Sequence, residues 1–383
     1  MSNMKKAVMY GGGNIGRGFI AQLFYMSGFE TVFIDVNDAL VDSLNKTHEY
    51  PVYVTGELDY IREDVKNVRA VNGKDADAVA NEIASCDVMA TAVGANILKF
   101  IAEPVAKGIQ KRMKDSGKPL NIIICENLID ADKYFRSLID EKICDCAKKY
   151  FAKNVGLIEA SIGRMVPGVP EEIKAKEPLA VCVEPYCMLP IDENAIVGEM
   201  PEMINLEPSS PFEFFIRRKL YMHNMSHAVT AYLGYLRGYE YIWQAIADEE
   251  IKEAAKSALY ATSKAMAKEF GKNEADLIAF SDDLLVRFTN KLLGDTVARV
   301  GRDTVRKLDP NDRLCGTLSL ITAHGIECGA LVRAIAAALK FDPEGKEPIK
   351  AFCDENGVKA TLEKYCGITD DALVAKIEEE YNK

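Results

Sequence analysis

A run of glycines between an apolar strand and a helix limits the folds open to this chain more than any other feature. Lys6 to Tyr10 reads as a buried strand, Gly11-Gly12-Gly13 as a turn, and Asn14 to Met26 as a helix. Gly11, Gly13 and Gly16 satisfy G-x-G-x-x-G, and a second strand, Thr31 to Val36, brings in Asp35 about 20 residues later. Strand, glycine turn, helix and acid together are the full context of a dinucleotide fingerprint. Gly11 permits the tight turn, Gly13 a close approach of backbone to pyrophosphate, and Gly16 close packing of helix on strand. The helix N-terminus at Asn14 and Ile15 faces the phosphate charge. Asp35 is placed to accept from a ribose 2′-hydroxyl and to repel a 2′-phosphate, so NAD is expected rather than NADP. The competing reading is a glycine turn in an α/β fold that binds another ligand or none.

Further strands are expected at Tyr50 to Val54, Val88 to Val93, Asn121 to Cys125, Val155 to Ile162 and Leu179 to Val183. Helical patterns fall between several of them, at Asp75 to Ala84, Ile97 to Lys114 and Asp130 to Tyr150. Alternation of this kind implies an α/β fold with a mostly parallel, Rossmann-type sheet. Thr91-Ala-Val93-Gly94 closes a later strand with small residues that suit the same nucleotide crevice, or form a simple strand-end turn. After Pro190 the texture changes to a stretch rich in Pro, Glu and Asn, with at most an edge strand. Ser210-Pro211 then suits a helix start, with Ser as the cap and Pro at the first position. The pattern stays helical to the end. The expected domains are therefore an NAD-binding domain over 1–195 and a mainly α-helical substrate domain over 196–383.

Composition narrows the partners. The chain has 47 Lys+Arg against 58 Asp+Glu, a net charge of −11, which disfavours nucleic acid. It shows no secretory signal and no apolar run long enough for a bilayer, so a cytoplasmic protein without a membrane partner is expected. The 10 cysteines are scattered and read as reduced thiols. Cys144 and Cys146 form the closest pair, with no histidine near in sequence, and read as small buried hydrophobes rather than zinc ligands.

Chemistry concentrates between Arg217 and Gly234, which holds two of the chain's 4 histidines. On a helix from Pro211 to Leu233, Lys219, His223, His227 and Asn224 fall at about 0°, 40°, 80° and 140°, all on one side. The span from Lys219 to His227 is about 12 Å, long for one small substrate unless the helix breaks near Asn224. A desolvated lysine can take a hydroxyl proton, an Asn amide can hold the resulting oxyanion, and a neutral histidine can orient a hydroxyl. The alternative is an amphipathic helix with a solvated polar face. His223 is expected to be a bystander. Arg299, Arg302, Arg306 and Lys307 cluster in an otherwise acidic chain; they suit a phosphate monoester, or pair with Asp295, Asp303 and Asp309 on a solvated face.

The runs GGGNIGRGF and LNIIICENL, the Lys-x4-Asn-x2-His segment with HAVTAYLG behind it, and RVGRDTVRKLDPNDRL resemble the polyol-specific long-chain dehydrogenases. The likeness extends from Lys5 to about Phe341 and is strongest to the bacterial branch acting on mannitol 1-phosphate. It implies a monomeric, metal-free, NAD-dependent enzyme interconverting mannitol 1-phosphate and fructose 6-phosphate. It assigns the general acid/base to Lys219 and maps the family's motif Asn and His onto Asn224 and His227. A second family Asn maps onto Asn127, which would complete the oxyanion hole with Asn224. Asn127 follows the IIIC strand at its carboxyl end, where ligands sit in such sheets, although a helix cap would explain it equally. Two departures stand out: in Ser161-Ile-Gly163-Arg164-Met-Val-Pro167, Gly163 takes the place of the family's usual acid, and the tail after Asp342 matches poorly.

Rival readings remain within and outside this class. A hexuronate reductase, or a dehydrogenase of unphosphorylated polyols, would share the fold. A non-catalytic NAD(H) sensor would keep Gly11 to Asp35 but has no use for Lys219, Asn224 and His227 together.

Overall fold

The computed structural model describes residues 4–383, and the chain divides after Glu213 into two compact units. The first contains β1 (Lys6–Tyr10), β2 (Glu30–Asp35), β3 (Glu49–Thr55), β4 (Tyr60–Lys66), β5 (Val68–Asn72), β6 (Val88–Thr91), β7 (Leu120–Ile124), β8 (Val155–Glu159), β9 (Val181–Val183), β10 (Leu189–Asp192) and β11 (Leu206–Ser209). Six of these make one sheet in the order β5-β2-β1-β6-β7-β8, every pair parallel. The chain runs outward from β1 to β5, then restarts beside β1 at β6. That reversal is the switch point of a Rossmann sheet, where ligands bind beyond the strands' carboxyl ends.

Burial explains why these strands read so clearly. Ala7, Met9 and Phe33 pack into the core on one face, and Val8, Tyr10, Val32 and Ile34 into the core on the other. A strand covered on both faces is apolar throughout, as in the fully buried β7.

The small sheets were less legible. Tyr50 to Val54 lies outside the main sheet, in β3, which pairs antiparallel with β4 and parallel with β9. Strands β4 and β5 and the helix Asp38–Thr47 were not anticipated. β4 (YIREDVK) is mostly exposed and charged, so it lacks an apolar alternation. The expected helix Asp130 to Tyr150 is two helices, Ala131–Asp140 and Asp145–Asn154. At the start of the second stands the closest cysteine pair, and it departs from the expectation of buried free thiols. Cys144 and Cys146 are joined by a disulfide with a Cα–Cα distance of 5.4 Å, within ordinary bridging range, while the other cysteines are free.

The domain boundary also moves. β10 and β11 pair in parallel, so residues beyond 195 remain with the first unit. The Ser210–Pro211 bond is cis, and the next helix opens at Glu213 rather than with Pro211 at its first position.

The second unit is helical. One continuous run comprises an α segment Glu213–Arg218, a π turn Lys219–Asn224 and an α segment Met225–Leu236. The last segment is buried on nearly every side. Tyr232 Oη donates to the Gly301 carbonyl at 2.9 Å, tying the run to the short helix Val297–Gly301 that carries Arg299. The segment before that helix is pinned by its main chain: Ile242 N–H donates to Asp295 O at 2.9 Å, and Val297 N–H to Glu240 O at 2.8 Å.

Candidate active site

In the first unit the glycine turn fits a nucleotide. Gly11 has φ of +102°, and a Cβ there would lie 2.4 Å from the Ala92 carbonyl oxygen. A Cβ on Gly16 would lie 2.0 Å from Gly11 O, so the helix could not start so close to β1 with any other residue. Nothing stands within 4 Å of a Cβ on Gly13, which leaves open space for a pyrophosphate. Asp35 braces the turn from β2: its Oδ2 accepts from Gly12 N–H at 2.7 Å and its Oδ1 from Asn37 N–H at 2.9 Å. A carboxylate has about four acceptor positions, so two are left for ribose hydroxyls.

The later strand ends differently from expectation. Thr91 is fully buried at the end of β6. The amides of Val93 and Gly94 both donate to the buried Glu126 carboxylate, at 2.9 and 2.8 Å. Glu126 thereby ties the end of β6 to the end of β7; sequence reasoning did not single it out. The neighbouring Asn127 is exposed. It does not cap the following helix, whose N-cap is Asp130, and so remains at the carboxyl edge of the sheet. At Gly163 a Cβ would lie 3.3 Å from Tyr186 Cε1, so the Tyr186 ring stands where an acidic side chain would extend. Arg164 beside it is structural: buried, it donates to the carbonyls of Glu184 and Gly18 and to Gln22 Oε1.

In the second unit the run stays helical, and in place of a break it carries a π turn that begins at Lys219 and ends at Asn224. π turns of this length insert an extra residue and gather at functional sites. Lys219 is half-buried and has no ion-pair partner among the described residues. Burial, and next the guanidinium of Arg313, push its ammonium down to about 8. Asn224 is half-buried one turn on. His227 follows in the α segment, its ring stacked on Phe288 at 4.8 Å and 14°. Burial, followed by Arg299 and Arg313, pushes its imidazole down to about 3, so it is neutral. Its Nε2 lies 3.4 Å from Asp295 Oδ2. His223 is buried among Phe288 and His227, as befits a packing residue.

The basic cluster divides. Arg299 donates to Asp295, and Arg306 to Asp303 at 2.6 Å, which are two of the pairings weighed against phosphate binding. Arg299 and Arg302 line a cleft of about 540 Å³ with Lys346, beside Asp303, Asp342, Glu344 and Glu347. Lys307 is buried and donates to the Arg302 carbonyl; burial, with Arg313 and Arg306, pushes it down to about 8. The cations whose charge reaches His227 include Arg299, Arg313 and Lys307. Arg313 also bears on Lys219. It is held by Asp312 Oδ1 at 2.7 Å, and it was missed although it stands within the RVGRDTVRKLDPNDRL run.

Both units match known families. Residues 5–205 match the Mannitol dehydrogenase Rossmann domain, and residues 212–383 the Mannitol dehydrogenase C-terminal domain. The chain is 39% identical over 367 residues to the mannitol-1-phosphate 5-dehydrogenase of Brevibacillus brevis, covering 94% of this chain and 93% of that one. It is 35% identical over 364 residues to the enzyme of the same name from Anoxybacillus flavithermus, covering 94% of each. A substrate-free D-sorbitol dehydrogenase structure shares the fold with a TM-score of 0.83 at 15% identity, over 100% of this chain and 96% of that one. Pseudomonas fluorescens mannitol 2-dehydrogenase, in a ternary complex with NAD and D-mannitol, does so with 0.71 at 15% identity, over 100% and 92%. No helix among the described residues is long and apolar enough to cross a membrane. Matched across both units, with a complete nucleotide fingerprint in one and a lysine-bearing π turn in the other, the chain belongs to the mannitol dehydrogenase family of NAD-dependent polyol oxidoreductases.

Proposed function

We propose that this protein interconverts mannitol 1-phosphate and fructose 6-phosphate, with Lys219 as the general acid/base. The observation that carries this reading is the half-buried Lys219 in its π turn, without an ion-pair partner among the described residues and held near 8 by burial and Arg313. NAD, when bound, supplies the hydride acceptor. As the carbinol C–H electron pair departs, Lys219 Nζ takes the hydroxyl proton, and the C–O bond becomes a carbonyl. In the reverse direction the ammonium returns that proton to the alkoxide.

Asn224, one turn on, is suited to donate to the oxygen as charge develops there. Asn127 has the exposure that the same task requires. His227, neutral, is suited to hold a hydroxyl of the polyol. The phosphate is assigned to the cations around that histidine: Arg299, Lys307 and Arg313, with Arg302 on the adjoining cleft. Arg306 is paired with Asp303 much as Arg299 is with Asp295, and belongs to the same basic run. The two relatives bearing the name mannitol-1-phosphate 5-dehydrogenase support this substrate over a neutral polyol.

The test is a panel of ketoses, ketose phosphates and hexuronates, followed by NADH and NADPH absorbance. Fructose 6-phosphate with NADH is expected to be the best pair. Turnover of fructose or a hexuronate without fructose 6-phosphate would reassign the substrate, and NADH binding without any turnover would make the protein a sensor. Lys219→Ala is expected to lower kcat by at least about 100-fold, the usual contribution of a positioned acid/base, while leaving the NADH dissociation constant unchanged.

A further inference from the structure

We propose that Asp295 is a positioning residue that sets the tautomer of His227, keeping the proton on Nε2 and leaving the Nδ1 lone pair to accept from a substrate hydroxyl. The inference rests on the place given above to His227. Asp295 Oδ2 lies 3.4 Å from His227 Nε2, and the two side chains are only 11% and 15% exposed. Nε2 itself is fully buried and has no formed hydrogen bond. The carboxylate is the group it faces. An ionised carboxylate only accepts, so a lone pair on Nε2 would meet a lone pair on Oδ2; a proton on Nε2 turns repulsion into attraction. In a neutral imidazole, the partner of one nitrogen decides what the other can do.

Two further contacts make this arrangement rigid. The Phe288 ring stacks on the imidazole at 4.8 Å and 14°, fixing its plane. Asp295 is held by its own carbonyl, which accepts from Ile242 N–H at 2.9 Å, and by Arg299, which donates to Oδ1. The same carboxylate therefore serves a cation assigned to the phosphate and the imidazole assigned to the polyol.

Asp295→Asn is the informative variant. Arg299 has only donors, so the new amide should turn its oxygen to Arg299 and its NH2 to Nε2. His227 is then expected to change from the Nε2–H to the Nδ1–H tautomer. The whole chain, labelled with 15N, would be read by long-range 15N–1H NMR of the imidazoles. With 4 histidines in the sequence, His227→Gln assigns the signals. A wild-type Nδ1–H tautomer, or an Asn variant whose tautomer is unchanged, overturns the proposal. Turnover of the Asn variant is expected to fall about 10- to 100-fold, the usual cost of removing the partner that orients a working histidine. NADH affinity should be unchanged, and Asp295→Glu should recover part of the loss, which a general loss of packing would not allow. The spectra report the tautomer whether or not His227 touches substrate. An inverted tautomer with undiminished turnover would leave Asp295 as the group that sets it, but would remove His227 from the site.

Discussion

Lys219 is a half-buried cation with no carboxylate partner among the described residues, and its titration should be visible in the rates. Burial and Arg313 lower it to about 8, so near neutral pH most molecules carry the ammonium. With Lys219 as the proposed acid/base, ketose reduction would consume that proton and polyol oxidation would need the free amine. Raising the pH through about 8 is therefore expected to increase kcat/KM for oxidation and decrease it for reduction. His227, lowered to about 3, stays neutral throughout, so neither profile should bend near the ordinary imidazole value of about 6.5. Arg313→Gln removes one of the two causes and should move the oxidation limb to higher pH. An unmoved limb, with the bend still at its original position, would detach it from Lys219. Lys219 and His227 were legible because they are close in sequence and share a helical face. Arg313 and Asp295 were not, because a single sequence does not reveal which distant charges fold beside them.

The π turn shows how an element sharpens what residue spacing suggests. On a regular helix Lys219 and His227 are about 12 Å apart along the axis, a span that a break near Asn224 would shorten. The run is not broken; it accommodates an extra residue between Lys219 and Asn224. Deleting Leu220 should restore regular helix and remove the widened turn whose backbone carries Lys219 and Asn224. Turnover is expected to fall at least about 100-fold, as for loss of the acid/base itself, with helix content by circular dichroism unchanged. A deletion variant that keeps its activity would show that the turn does not aim the lysine. Elsewhere, legibility followed burial. β1, β2, β6, β7 and β8 declare themselves because apolar side chains fill both faces, while β4 hides because its exposed charges leave no pattern. Glu126 was hidden for another reason: its role is to accept two backbone amides, and amides leave no trace in sequence.

At the scale of the whole chain, the residues proposed for nucleotide recognition and those proposed for acid/base chemistry fall in separately packed units. The first has its own cores on both faces of its sheet, and the glycine turn, Asp35 and Glu126 all lie within it. The family matches also separate between residues 205 and 212, just before the structural division at Glu213. A chain ending at Glu213 is long enough to bury a core of ordinary domain size. It is expected to unfold cooperatively and to bind NADH, seen as enhanced nicotinamide fluorescence, with an affinity within about tenfold of the full chain, a difference of about 1.4 kcal/mol. It should not oxidise NADH with fructose 6-phosphate, because Lys219, Asn224 and His227 are gone. If the fragment folds but does not bind NADH, residues after Glu213 must contribute to the nucleotide's affinity, and the fingerprint would be necessary without being sufficient.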